Sequence, residues 1–114
     1  MATKAMVAAS TKPLILSILS RGESYGYQII RNIESLSGGR LEWTEAMLYP
    51  FLHRLERDGF IQSRWHIAEN GRKRKYYSIT EMGEKELEFE RTQWLDVHSL
   101  LSLLWNPDSK LSLG

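Results

Sequence analysis

Four consecutive cations, Arg72, Lys73, Arg74 and Lys75, follow an Asn70-Gly71 pair. Asn-Gly between two strand-like segments is a strong hairpin signal. Cations that alternate along a strand just past a tight turn put at least two side chains where neighbouring phosphates can be neutralised together, with release of their counterions. Just upstream, Thr44 to Gly59 reads as a short amphipathic helix with a capped start and a glycine stop. An α-helix fits the major groove of duplex DNA and presents its N-terminal half to base edges. On this helix the side chains available for that are Glu45, Ala46, Met47, Tyr49, Pro50, His53 and Arg54. Pro50 lies inside it, where a lost hydrogen bond costs about 3 kcal/mol. It is either a tolerated kink or a device that shapes the groove-facing surface.

Other chemistries find no support. His53, His66 and His98 fall on three separate elements without ligand spacing, so no metal site is expected. There is no nucleophile elbow, no phosphate-cradling glycine loop and no nucleophile–base pair at a supporting spacing, so an enzyme is disfavoured and no cofactor is implied. The chain has no cysteine, which removes disulfides and thiolate chemistry and fits a reducing cytoplasm. No apolar segment is long enough for a signal peptide or a membrane span, so a soluble cytoplasmic protein with no membrane association is expected.

The formal net charge of +1 over 114 residues hides an asymmetry. Residues 1–51 hold five Lys/Arg against four Asp/Glu, residues 52–79 hold seven against three, and residues 80–114 hold three against seven. A basic middle and an acidic end imply that the middle faces a polyanion and the end does not.

These side chains need elements to position them. Met6, Val7, Leu14, Ile15, Ile18 and Leu19 recur at helical spacing, which predicts a first helix within residues 3–20. Pro13 either kinks it or starts a second segment near Ser10, and Gly22 stops it. Ser24 is the expected N-cap of a second helix from Tyr25 to about Ser37, ended by Gly38-Gly39. Its apolar face is Tyr27 or Ile30, with Ile29, Ile33 and Leu36. Gly26 in its first turn costs about 1 kcal/mol of helix propensity, implying that a protein backbone or a phosphate approaches closely there. Thr44 caps the third helix, Trp43 and Leu48 form a hydrophobic staple, and Leu48, Phe51 or Leu52, and Leu55 make its buried stripe. Phe60 to Ile67 alternates, with Ile61, Ser63, Trp65 and Ile67 on one face and Gln62, Arg64 and His66 on the other; Arg72 to Ile79 returns as the second strand.

Thr80 caps a long fourth helix that Asn106-Pro107 ends. Leu87, Trp94, Val97, Leu101 and Leu104 repeat with coiled-coil spacing, with Trp105 adjacent. This seam exceeds what a small domain needs for itself and is read as a dimer interface; packing on its own first helix is the alternative. If two copies cross, Trp94 and its symmetry mate can form a slot for a planar aromatic molecule, or both can be plain interface core. The fold class is α+β, mainly α: a winged helix-turn-helix over residues 1–79 with a two-stranded wing, a C-terminal dimerisation helix over 80–106 and a tail over 107–114, one compact domain overall.

Several motifs carry a family resemblance: Tyr25-Gly26-Tyr27, Leu48-Tyr49-Pro50, Leu52-His53-Arg54-Leu55-Glu56, Asp58-Gly59, Arg72 to Tyr77, and Thr80-Glu81 followed by Gly83. Together they resemble the PadR family of bacterial transcriptional regulators, over about residues 12–105. Trp94 in a single C-terminal helix is similar to a short subfamily that includes multidrug-sensing repressors. The resemblance implies a homodimeric repressor on a palindromic operator in double-stranded DNA, with Met47, Tyr49, Pro50, His53 and Arg54 at the major groove. It also implies wing contacts from Arg72, Lys73, Arg74 and Lys75, Tyr25 or Tyr27 near phosphate, and planar effectors held between paired copies of Trp94. The family usually has threonine where this chain has Met47, and losing that hydroxyl should alter base preference. The rival reading is a winged-helix module that docks proteins through its hairpin; four consecutive cations argue against it.

Overall fold

The computed structural model describes residues 3–108 and 110–111. Helix α1 spans Lys4–Leu19 and is capped by the Thr3 hydroxyl, which accepts from the Met6 N–H. It runs continuously through Pro13, so no second segment starts near Ser10. Its inner side buries Thr11, Ile15, Leu16 and Leu19.

The next element departs from the expected one. Ser24 does not cap a helix: Ser24–Tyr25 form a two-residue strand, β1, paired antiparallel with Tyr76 and Tyr77. Helix α2, Gly26–Leu36, therefore starts one residue later, with Tyr25 in the capping position and no side-chain hydrogen bond to its first turn. A backbone pairing to a strand far along the chain has displaced a local cap. Ile29, Ile30 and Ile33 are buried as their spacing requires, whereas Tyr27 and Leu36 are exposed. The apolar face of α2 thus ends at Ile33, one turn before the helix does.

Helix α3, Glu45–Arg57, forms as its signals demand. The Thr44 hydroxyl accepts from the Met47 N–H at 3.2 Å, and Leu48, Leu52 and Leu55 are buried. Trp43 joins them in the core, on the same side as Leu48. At the C-terminus Gly59 adopts φ +84°, and the N–H groups of Gly59 and Phe60 bond back to Glu56 and Leu55 at 3.1 and 2.9 Å. That is a Schellman ending, which only a residue comfortable at positive φ supports.

Strands β2, Ile61–Ile67, and β3, Lys73–Ile79, pair antiparallel with Ile61 opposite Ile79 and Ile67 opposite Lys73. With β1 they make a sheet in the order β1-β3-β2, so the two-stranded wing is extended by a third, short strand at its base. Only the base of the sheet reaches the core: Ile61 and Tyr77 are buried, but Trp65 and Ile67 are exposed although they share the inward alternation. The hairpin projects past the body of the protein, and its outer half has nothing beneath it.

Helix α4, Glu81–Trp105, is capped by Thr80, whose hydroxyl accepts from the Gly83 N–H at 3.0 Å and donates to the Gly59 carbonyl at 2.6 Å. Gly83 is its one fully buried residue. A Cβ there would overlap the Phe60 carbonyl oxygen and lie 2.8 Å from the Ile79 side chain. The end of α3 and the start of α4 are thus pressed backbone to backbone. Farther along, Lys12 of α1 pairs with Glu86 and Glu90 at 3.3 and 3.5 Å, and Leu87 packs on the core. Trp94 and Leu95 still border α1, and beyond them the helix runs on with its side chains largely exposed, giving the molecule a long axis of 64 Å.

Candidate nucleic-acid interface

The first residues of α2, the N-terminal half of α3 and the wing converge on one cleft of about 650 Å³. The helices contribute Tyr25, Gly26, Tyr27, Glu45 and Tyr49, and the hairpin contributes Trp65 with Arg72, Lys73, Arg74 and Lys75. All four wing cations expected from the sequence border this cleft, with both tyrosines that open α2. Strand alternation, however, puts Lys73 and Lys75 on one face of the hairpin and Arg74, stacked on Tyr25, on the other.

Their surroundings make the four cations unequal. Lys75 lies 3.9 Å from the Glu56 carboxylate of α3 and over the Tyr77 ring, and Ser63 donates a hydrogen bond to the same carboxylate. Arg74 stacks its guanidinium 4.5 Å from the centre of the Tyr25 ring, which in turn meets Tyr76 edge to face at 5.4 Å. Arg72 and Lys73 are exposed. Among the described residues Arg72, Lys73 and Arg74 have no carboxylate within ion-pair distance. Arg72, Lys73 and Arg74 thus border the cleft without an ion-pair partner among the described residues, the Glu45 carboxylate also lines it, and Lys75 is paired with Glu56.

On α3, Glu45, Ala46, Tyr49, Pro50, His53 and Arg54 line the exposed side. Pro50 lies within a continuous helix. Arg54 stacks on Phe51 at 4.4 Å, which holds its guanidinium along the helix surface. Met47 is half-buried and packed against the core, so it sits at the margin of this side rather than at its centre.

Tyr49 explains Gly26. A Cβ on Gly26 would lie 2.6 Å from the Tyr49 hydroxyl, so within the chain the close approach is made by a phenol ring rather than by a backbone. Burial pushes the Tyr49 hydroxyl above the usual phenol range, with the nearby Glu45 carboxylate adding to the shift. Tyr49 is consequently a neutral wedge between α2 and α3 with its edge on the cleft. Tyr77, deeper in, is pushed up to about 12, mainly by burial and further by Tyr49 and Glu56. Tyr27 accepts a hydrogen bond from Arg31 at 3.0 Å on the exposed side of α2.

On the face of the wing that carries Tyr76 and Arg74, Arg64 is engaged differently. Arg64 forms a two-pronged ion pair with Glu23, one prong being Nε–Oε2 at 3.0 Å, and holds that carboxyl below its usual range. Arg64 is therefore a brace between the wing and the α1–β1 loop. His53, His66 and His98 remain apart, and no group of three metal-binding side chains occurs among the described residues. Trp65, which alternation places on one face with Ile61, lies well past the buried end of the strand and lines the cleft, directly opposite Lys75.

Three helices, a hairpin wing and a cation-lined cleft beside the second helix of the helix-turn-helix define a winged-helix protein. The model of the PadR-like family of transcriptional regulators matches residues 15–89, and the chain belongs to that family. It is 39% identical over 80 residues to the transcriptional regulator YqjI of Escherichia coli and 32% identical over 87 residues to the negative transcriptional regulator PadR of Bacillus subtilis. These alignments cover 70% and 76% of this chain but 37% and 46% of those proteins, so the chain spans less than half the length of either relative. A PadR-like transcriptional regulator from Bacillus cereus has a similar structure, with a TM-score of 0.81 at 28% identity, covering 92% of this chain and all of that one.

Proposed function

We propose that this protein is a homodimeric transcriptional repressor that binds a palindromic operator and is released by a small molecule held between its two copies. The observation that carries the DNA-binding part is the cleft. It combines an exposed recognition-helix surface with two tyrosines and three cations that lack an ion-pair partner among the described residues, a composition suited to a phosphate backbone beside a major groove. In this reading α3 enters the groove through Tyr49, Pro50, His53 and Arg54, with Met47 at its margin. Arg72, Lys73 and Arg74 bind phosphate, and Tyr25 and Tyr27 approach the same strand. Lys75 contributes less, because Glu56 competes for it.

Dimerisation is supported by the uncovered half of α4. Leu95, Val97, Leu100, Leu103, Leu104 and Trp105 are all exposed there, and Leu101 is half-buried. So many exposed apolar side chains at one end of a helix support an interaction surface there. Pairing through Leu87, Trp94, Val97, Leu101, Leu104 and Trp105 would place two recognition helices about 34 Å apart, one duplex turn. Trp94 borders a largely apolar groove of about 530 Å³ between α1 and α4, with Pro13, Leu14, Leu41, Leu87 and Leu95 around it. A planar aromatic effector bound there and against the partner would favour one spacing of the helices over another, and operator affinity would fall by the differential binding energy.

Titration of the purified protein against the region upstream of its own gene, at two salt concentrations, tests the reading. A specific complex that weakens steeply with salt is expected; absent or salt-insensitive binding would favour a protein-docking module. For the effector, quenching of intrinsic fluorescence by planar aromatic dyes should disappear in Trp94→Ala, and unchanged quenching would sink that part.

A further inference from the structure

Trp65 is a large apolar side chain that the fold leaves exposed beside the wing cations. It is 65% exposed, far from the apolar surface of α4, and it lines the cleft rather than the core. The register sets it directly opposite Lys75, with the exposed Ile67 opposite Lys73 two residues on. Cross-strand partners and their i±2 neighbours share one face of a sheet, so this side of the wing alternates apolar and cationic groups. Neither feature alone selects a partner. Their combination does: the occupant must present negative charge and apolar edges at the same close spacing. The sugar–phosphate strand of DNA has that pattern, with phosphates alternating with the C–H edges of deoxyribose.

We propose that Trp65 is a DNA-contacting residue, its indole lying against the deoxyribose edge of the strand whose phosphates are neutralised by Lys73 on the same face of the wing. This rests on the DNA-binding reading above and adds to it an apolar contact in the wing. The wing then grips the backbone by two means with different salt responses. Ion pairing weakens as salt rises through counterion release, while indole burial does not. The amphipathic ring suits the role, since its N–H end can stay in water while its face is covered.

The test compares wild type, Trp65→Ala, Trp65→Phe and Lys73→Ala on one operator duplex over a range of salt. Trp65→Ala should bind about tenfold more weakly at every salt concentration, with the slope of log affinity against log salt unchanged, and Trp65→Phe should recover part of the loss. Lys73→Ala should flatten the slope by about one. The operator should also shield part of the wild-type tryptophan emission from acrylamide, and that shielded part should be missing in Trp65→Phe. Because the side chain is exposed, the melting temperature should stay at the wild-type value in both Trp65 variants. Wild-type affinity in Trp65→Ala, or a loss accompanied by a flatter slope, would overturn the apolar contact while leaving DNA binding intact. Failure of the unsubstituted protein to bind any operator fragment would overturn both.

Discussion

Replacing Gly83 with alanine sets two physical effects against each other, and they predict opposite signs. Alanine in a helix interior is favoured over glycine by about 1 kcal/mol, so local propensity alone says the variant should be more stable. The packing says otherwise. The new Cβ would overlap the Phe60 carbonyl oxygen and sit 2.8 Å from Ile79. The oxygen belongs to a backbone held at both ends: Phe60 N–H donates to Leu55, and the Phe60 carbonyl accepts from Thr80 N–H at 3.0 Å. It cannot rotate away as the tip of a side chain would. Overpacking of this kind costs about 1–3 kcal/mol, and more where backbone must move. After the propensity gain, a net loss of about 2 kcal/mol is expected. For a domain of this size that lowers the melting temperature by roughly 8 °C. The measurement is thermal unfolding by circular dichroism at one fixed protein concentration, since any self-association would make the midpoint concentration-dependent. A melting temperature equal to or above that of the wild type would refute the argument that α4 is seated by backbone contact at Gly83.

Three further outcomes are expected. Thr44→Ala removes the side-chain acceptor for the Met47 N–H and should destabilise by about 1 kcal/mol in urea unfolding. Lys75→Ala should change the salt slope of operator binding less than Lys73→Ala, because Glu56 already compensates Lys75; equal changes would show that the Glu56 pair opens on DNA. Tyr77 has a folded pKa raised from about 10 to about 12. The stability that this confers is fully present below about pH 10 and is lost as pH rises towards about 12, because the unfolded chain releases the proton first. Tyr77→Phe should flatten that alkaline loss in a pH series of urea midpoints.

Much of the fold was legible because its signals are local. Thr44 and Thr80 cap α3 and α4, Gly59 closes α3, and Asn70-Gly71 turns the hairpin, each acting within four residues of itself. The buried stripe Leu48, Leu52 and Leu55 follows from helical periodicity. Where the reading departed, a contact between distant segments had intervened. Ser24 lost its capping role to a pairing with Tyr77. Leu36, Trp65 and Ile67 fit an apolar face by spacing, yet lie beyond the reach of the core. Gly26 signalled a close approach correctly, but the approaching group was Tyr49.

The sequence by itself determined the element types, the position of the basic wing beside a capped amphipathic helix, and the apolar repeat along the last helix. These depend on caps, turns and periodicity, whose energies are settled among neighbours along the chain. Only the tertiary structure decided which cations remain available. Among the described residues Arg72, Lys73 and Arg74 stand free of carboxylates, whereas Lys75 is held by Glu56 and Arg64 by Glu23. A cation's freedom depends on carboxylates that the fold brings near, and no local pattern encodes that distance.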